Sequence, residues 1–341
     1  MQLNAQQVID ALPWDALIEQ LAAMFTKDVH SPVRHHHFID VPGASQATLL
    51  LMPAWIENEY LGVKQVNVFP GNSRLNLPGL SSHYLLSCGK TGQPLAQLEG
   101  NELTARRTAA ASALAARHLA RPDASKLLVM GAGRMARRLI QAHMAVRPIT
   151  QVWVWARDPA AAAELAMEYR EQGIDIRVAT QEILPEIAAR MDIISCATMA
   201  STPILNGAWL SPGCHLDLVG SFTPTMREAD DEALRRSHIF VDTRAGALSE
   251  SGELLMPLQQ GVLTAADVLA ELPELCRGTH GGRAALADPE RAITLFKSVG
   301  AAIEDLAAAV LAYQRCRGKN SRHHPAVQAG ESVPALNRCS E

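Results

Sequence analysis

Three cationic side chains stand where apolar residues would be the default. Lys64 lies in Gly62-Val63-Lys64-Gln65-Val66-Asn67-Val68, a run that reads as a strand. Side chains alternate along a strand, so Lys64 shares a face with Val66 and Val68. A lysine among valines is either a snorkelling edge residue or a cleft residue with a chemical task. In a cleft, desolvation would lower its pKa and suit it to proton transfer. Arg107 lies in LTARRTAAASALAARHLA (103–120), on the same helical stripe as Leu103 and Leu114. A guanidinium on an apolar stripe needs an anion partner. Its neighbour Arg106 lies about 100° round the helix, nearer Arg117, and reads as solvent-facing. Arg34, in SPVRHHHF, follows a turn signal and by itself reads as a surface salt-bridge residue. Together, two arginines and a lysine could clamp a small carboxylate, arginine doing so in bidentate fashion.

A second set of residues points to a nucleotide. KLLVM is followed by Gly131-Ala132-Gly133-Arg134-Met135-Ala136, a GxGxxA sequence between an apolar strand and a helix. Gly131 permits the tight turn, Gly133 lets the backbone approach a pyrophosphate, and the small Ala136 allows close helix–strand packing. The phosphates would sit on the free N–H groups of Gly133, Arg134, Met135 and Ala136 at the helix start. The next strand ends in Trp155-Ala156-Arg157-Asp158. Ala156 removes the acid that would bind the ribose hydroxyls of NADH, and Arg157 can pair with a 2′-phosphate, so the reading leans to NADPH with NADH still open. Asp158 reads as the cap of the following helix.

These residues need elements to hold them. Residues 5–25 have helical spacing (Val8, Leu12, Ile18, Leu21, Met24), and 47–53, 60–69 and 82–88 are β-like runs broken by turns. Residues 103–120 are Ala-rich and predict a helix. From 126 the chain alternates strand and helix, with strands expected at 126–130, 151–155, 174–179, 192–197, 214–219 and 238–242. Near-continuous apolar strands alternating with helices imply a parallel sheet covered on both faces, and six fit a Rossmann-type fold. Residues 290–314 read as a long helical segment that Gly300 interrupts. The expected organisation is α/β. Residues 1–120 form an α+β domain completed by a helix at about 303–316, for which the family resemblance given below implies substrate binding and dimerisation. Residues 121–302 form a doubly wound NAD(P)-binding domain, and 317–341 a disordered tail.

Composition narrows the function classes. The chain has 341 residues, 48% of them hydrophobic and 19% charged, and a net charge of −4. At roughly 150 residues per domain this suggests about two domains. No strong basic excess points to nucleic acid. No apolar run approaches the roughly 20 residues of a membrane span, and no secretory signal is read at the start. The six cysteines are scattered without a CxxC pair and read as reduced thiols in a cytoplasmic protein. His35-His36-His37 suggests no metal site, because adjacent residues of an extended segment point to opposite faces. Asp242 reads as a turn or capping residue.

The segments VKQVNVFPGN (63–72), GNELTARRTAAASALAARHLA (100–120), VMGAGRMA (129–136), VGSFTPTMREAD (219–230) and ITLFKSVGAAIEDLAAA (293–309) occur in the order and spacing of one family. The chain resembles the ornithine cyclodeaminase/mu-crystallin family over most of its length. The resemblance implies a homodimer, and it implies that Arg34, Lys64 and Arg107 bind a substrate carboxylate. Cyclodeaminases of the family carry an aspartate in the segment that here reads Gly220-Ser221-Phe222-Thr223-Pro224, and the matching position is Phe222. A phenyl ring can neither accept a proton nor pair with an ammonium. The sequence therefore looks like the family's imine reductases, with Phe222 offering an apolar wall to a small ring. That implies NAD(P)H-dependent reduction of a cyclic ketimine such as Δ1-pyrroline-2-carboxylate or Δ1-piperideine-2-carboxylate, giving L-proline or L-pipecolate, with Lys64 or water keeping the imine protonated. Thr198, Met199 and Gly220 are expected near the nicotinamide, and family analogy adds Lys297 and Ser298 facing the cofactor or substrate. Two other readings stay open. One is cyclodeamination, or oxidation of alanine or another amino acid, on the same fold. The other is a crystallin-like protein that binds NADPH without turnover.

Overall fold

The computed structural model describes residues 1–321. It divides into two units: unit 1 is Met1–Arg107 together with the chain from Ala301 onward, and unit 2 is Thr108–Gly300. The division falls inside a continuous helix, at a point where neither composition nor hydrophobic period changes. The sequence pattern instead suggested 120/121 and 302/303.

The elements of unit 1 begin with β1 (Gln2–Leu3), α1 (Ala5–Ala11), α2 (Trp14–Thr26), β2 (His35–Ile39), β3 (Ala47–Ile56), β4 (Tyr60–Val68), β5 (Leu80–Cys88) and β6 (Pro94–Glu99). Helix α3 (Gly100–Leu119) runs on into unit 2. Unit 2 continues with β7 (Lys126–Met130), α4 (Arg134–Val146), β8 (Gln151–Trp155), α5 (Pro159–Glu171), β9 (Ile176–Val178), α6 (Leu184–Ala188), β10 (Ile193–Cys196) and β11 (His215–Leu218). Its last elements are α7 (Asp231–Arg235), β12 (His238–Val241), α8 (Arg244–Glu250), α9 (Gly252–Gln259), β13 (Val268–Glu271), α10 (Leu272–Arg277) and β14 (Thr294–Lys297). Helix α11 (Ala302–Ser321) belongs to unit 1.

Unit 1 is a six-stranded sheet in the order β1-β6-β5-β4-β3-β2. All pairings are antiparallel except β1 with β6. Helix α11 packs on β3, β4, β5 and β6 and against α1 and α2. The strands alternate as a half-covered sheet must. Met52, Ala54, Gly62, Lys64, Val66, Tyr84, Leu86 and Leu98 are buried, while Leu61, Gln65, His83 and Leu85 are exposed. The helix read over 5–25 is two helices, because Pro13 lacks an N–H and starts α2 afresh. Asn4 and Gln7 form a capping box that starts α1.

Unit 2 is an eight-stranded parallel sheet in the order β13-β12-β14-β11-β10-β7-β8-β9. Leu128 and Met130 of β7 enter one apolar core, and Leu127 and Val129 enter another. The sheet is thus covered on both faces, as a doubly wound fold requires. Chain order runs outward from β7 through β8 to β9 and then jumps to β10 on the other side of β7. That reversal creates the crevice where dinucleotides bind in such folds.

All six strands expected in unit 2 exist, and two of that sheet were missed. Val268–Glu271 forms β13, and Thr294–Lys297 forms β14 between β11 and β12. The helix read over 290–314 therefore starts only at Ala302, after Gly300 at φ 83°. A buried strand as short as TLFK fits either period, and parallel pairing on both sides decided it. Helix α11 also runs to Ser321, so 317–321 is helical and not tail. The rest of that expected tail lies outside the described residues. No described helix is long and apolar enough to cross a membrane. Cys196, Cys214, Cys276 and Cys316 are free thiols. Cys88 is disulfide-bonded, so the expectation of reduced thiols throughout fails there.

Candidate active site

Lys64 and Arg107, far apart in sequence, meet in the core of unit 1. Lys64 is 2% exposed on the inner face of β4, between Gly62 and Val66. Its Nζ donates to Asp305 Oδ1 at 3.0 Å and lies 2.8 Å from Oδ2. Arg107 Nε donates to the same Oδ1 at 2.8 Å, and Nη1 donates to Glu304 Oε2 at 2.6 Å. The anion that the apolar stripe demanded for Arg107 is thus internal. Glu304 and Asp305 sit in the first turn of α11, where the helix dipole favours negative charge. Their signal was present in the sequence: two adjacent acids at the head of an Ala/Leu helix, the counterpart of an arginine on an Ala/Leu helix.

Burial lowers the Lys64 pKa to about 7, with Arg107 and Arg34 adding to the fall and Asp305 opposing it. Burial also disfavours the Arg107 cation, but Asp305 and Glu304 outweigh it and raise its pKa. Arg34, half-buried just ahead of β2, is close enough to act on Lys64. Tyr84 faces Lys64 across β5. Burial, with Asp305 next, raises its pKa, and its hydroxyl is buried without a hydrogen-bond partner. The tyrosine ring needs Gly62 beneath it, since a Cβ there would come within 1.9 Å of the hydroxyl oxygen. Arg106 corrects the sequence reading. It is buried, donates through Nε and Nη2 to the Leu12 carbonyl at 3.0 and 2.6 Å, and lies 4.2 Å over the Trp14 ring.

Unit 2 carries the glycine turn. Gly131 has φ 120°, and a Cβ would come within 2.7 Å of the Ala197 carbonyl, so only glycine fits between the ends of β7 and β10. Gly133 starts α4 without a side-chain cap, and no atom lies within 4 Å of where its Cβ would be. An uncapped helix start with open space before it fits a pyrophosphate. Arg134 is exposed, Met135 half-buried and Ala136 buried against the sheet. Arg157 is exposed just after β8, and Asp158 caps α5 through Ala160 N–H at 3.0 Å.

The ends of β10 and β11 are tied together by a glutamate that the sequence reading missed. Glu228 Oε1 accepts from the Thr198 N–H at 2.7 Å and its hydroxyl at 2.8 Å, and Oε2 accepts from Gly220 N–H at 2.7 Å. Glu253 in turn accepts from the N–H groups of Glu228 and Ala229. Beyond this clamp, Met199 is 81% and Phe222 48% exposed. Lys297, expected by analogy to face cofactor or substrate, lies deep in the sheet of unit 2. It is fully buried on β14, its Nζ donates to the Leu218 carbonyl at 2.9 Å, and it faces Glu228, Glu253, Asp242 and Asp217. Lys297 is thus a counter-ion for buried carboxylates. Ser298 is buried, its hydroxyl unpartnered. Asp242 accepts from Thr243, Val299 and Gly300 N–H, a turn residue as read. Among the described residues no group of three or more His, Cys, Asp or Glu is placed to hold a metal ion.

Comparison with known proteins places this geometry. The profile of the ornithine cyclodeaminase/mu-crystallin family matches residues 1–320. The chain is 36% identical over 310 residues to the Δ1-pyrroline-2-carboxylate reductase of Colwellia psychrerythraea, covering 90% of this chain and 96% of that protein. It is also 36% identical over 317 residues to the ketimine reductase mu-crystallin of Mus musculus, covering 91% and 96%. Among solved structures, the Thermococcus litoralis Δ1-pyrroline-2-carboxylate reductase in complex with NADH and L-proline superposes with a TM-score of 0.85 at 34% identity, covering 94% of this chain and 98% of that one. A chain matched along nearly its whole length in this way belongs to the ornithine cyclodeaminase/mu-crystallin family.

Proposed function

We propose that the protein reduces a small cyclic ketimine carboxylate, of which Δ1-pyrroline-2-carboxylate is the first candidate, to the corresponding L-imino acid. One observation carries this reading. The buried cluster of unit 1 gathers three cations, Lys64, Arg107 and Arg34, around two carboxylates, Glu304 and Asp305. Cations collected at one place in this way could hold a substrate carboxylate, arginine in bidentate fashion. In this reading Arg34, Lys64 and Arg107 together hold the substrate carboxylate. The relatives named as pyrroline-2-carboxylate and ketimine reductases support the same substrate class.

Unit 2 is the natural holder of a nicotinamide dinucleotide, with Gly131, Gly133, Arg134, Met135 and Ala136 at its phosphates. Bound in reduced form, it supplies the hydride for the imine carbon. Thr198, Gly220 and Phe222 line the nicotinamide end in this reading, and Met199 and Ser298 lie beside them. Arg157, with no acid at the end of β8 and Asp158 spent as a helix cap, favours NADPH over NADH. Lys64 protonates the imine nitrogen, because a lysine with its pKa near neutrality can give up its proton. Phe222 speaks against cyclodeamination, since no carboxylate stands there for the amino groups.

Unit 1 is also the proposed dimerisation unit. Its outer sheet face carries Leu61 at 37% and Leu85 at 51% exposed, and edge strand β2 exposes Phe38 at 68%. A sheet with such a face calls for a cover. A second copy would provide one. A cytoplasmic location accompanies this reading.

The test is direct. Purified protein given Δ1-pyrroline-2-carboxylate should consume NADPH and form L-proline. Given L-ornithine and NAD+, it should release no ammonia; rapid release would favour cyclodeamination. Binding of NADPH with no turnover of any imine would favour the crystallin-like alternative.

A further inference from the structure

The reading above needs a buried lysine that is charged when the imine arrives, and burial works against that charge. The packing around Lys64 shows what opposes it. From β3 the residue opposite is Met52, which carries no charge. From β5 comes the neutral Tyr84, from α3 the Arg107 cation, and from the segment before β2 the Arg34 cation. The acid that acts on the ammonium is Asp305 of α11, in contact through both carboxylate oxygens. Asp305 cannot turn away, because Arg107 Nε holds the same Oδ1 and the α11 backbone fixes the carboxylate in its first turn.

Building on that reading, we propose that Asp305 is a positioning residue that acts through Lys64: its carboxylate fixes the ammonium in place and keeps it charged for proton delivery to the imine nitrogen. In the step, an N–H bond of the Lys64 ammonium breaks and the imine nitrogen gains that proton. The hydride arriving at the adjacent carbon turns C=N into CH–NH. The electron pair of the broken bond stays on Nζ as a neutral amine, which regains a proton from solvent. Glu304 is one step removed, since it reaches Lys64 only through Arg107.

The experiment compares kcat/KM for Δ1-pyrroline-2-carboxylate against pH in the wild type, D305N and D305E. In the wild type the rate falls as pH rises through about 7, because Lys64 must be protonated and its pKa lies there. In D305N the falling limb should move at least about one pH unit towards acid, which is about tenfold in the protonated fraction. At pH 8 D305N would then be about tenfold slower than wild type, with the gap narrowing at lower pH. A merely structural role would lower the rate at every pH and leave the limb where it was, and that result overturns the proposal. If D305N does not fold, as judged by circular dichroism, D305E decides. Its carboxylate is retained but displaced by a methylene, so the limb should again shift to acid, and an unmoved limb overturns the proposal. The pH midpoint for acetylation of Lys64, read by mass spectrometry, should shift in parallel and does not depend on turnover. A wild type that reduces no imine at any pH breaks the parent reading instead, and the labelling midpoint still decides the role of Asp305.

Discussion

In unit 1 the buried charges meet other charges: Lys64 and Arg107 against Asp305 and Glu304. In unit 2 the buried carboxylates meet mainly N–H and O–H groups. Asp217 on β11 accepts from Ser195 at 2.6 Å and Ser112 at 2.9 Å, with His143 Nε2 at 3.3 Å. Glu228 is filled by three donors from two strand ends. A carboxylate filled by backbone and hydroxyl donors holds the chain in one conformation, because every donor it releases would be left buried and unpaired. A buried ion pair can change its charge state by one proton. The first arrangement suits the scaffold of a binding site. The second suits chemistry.

The contrast can be broken at its scaffold end first. Asp217→Ala leaves Ser195, Ser112 and His143 without their acceptor and should cost about 3–5 kcal/mol of stability, measured by urea unfolding. A loss below about 1 kcal/mol would mean that the network is slack and the contrast false. At the chemical end, Lys64→Ala should lower kcat/KM for the imine by about a hundredfold or more. Binding of NADPH, followed by calorimetry, should hardly change. An equal loss in both would make Lys64 part of the scaffold.

Smaller effects sharpen the picture. Arg157→Ala should cut the preference for NADPH over NADH by about tenfold, the worth of one charge-assisted contact. Equal effects on the two cofactors remove the argument for NADPH. Tyr84→Phe should raise stability by about 1 kcal/mol, since it deletes a buried hydroxyl that has no partner. A drop in thermal midpoint would show that the hydroxyl is engaged after all.

Unit 2 was the more legible unit. The strand, GxGxxA turn and helix at 126–146 announce themselves because each step of that motif has a local cause: apolar strand, glycine turn, uncapped helix start. Asp158 was readable for the same reason, as a cap acts within a few residues; Asp242 accepts locally from Thr243 but also from Val299 and Gly300, 57 and 58 residues on. β14 was not readable, because four buried residues carry no period of their own and their neighbours in the sheet come from 215–218 and 238–241. Lys297 lies on that same strand. An analogy gave it a ligand to face, whereas its position on a central strand surrounds it with carboxylates.

By itself the chain determined that Lys64 and Arg107 stood on apolar faces, that an anion must answer Arg107, and that a dinucleotide turn follows β7. These are consequences of local periodicity and of the cost of burying charge. Which anions answer them was settled only by the tertiary structure, which brings α11 across the sheet of unit 1. Asp305 lies 241 residues from Lys64, and no local rule reaches that far.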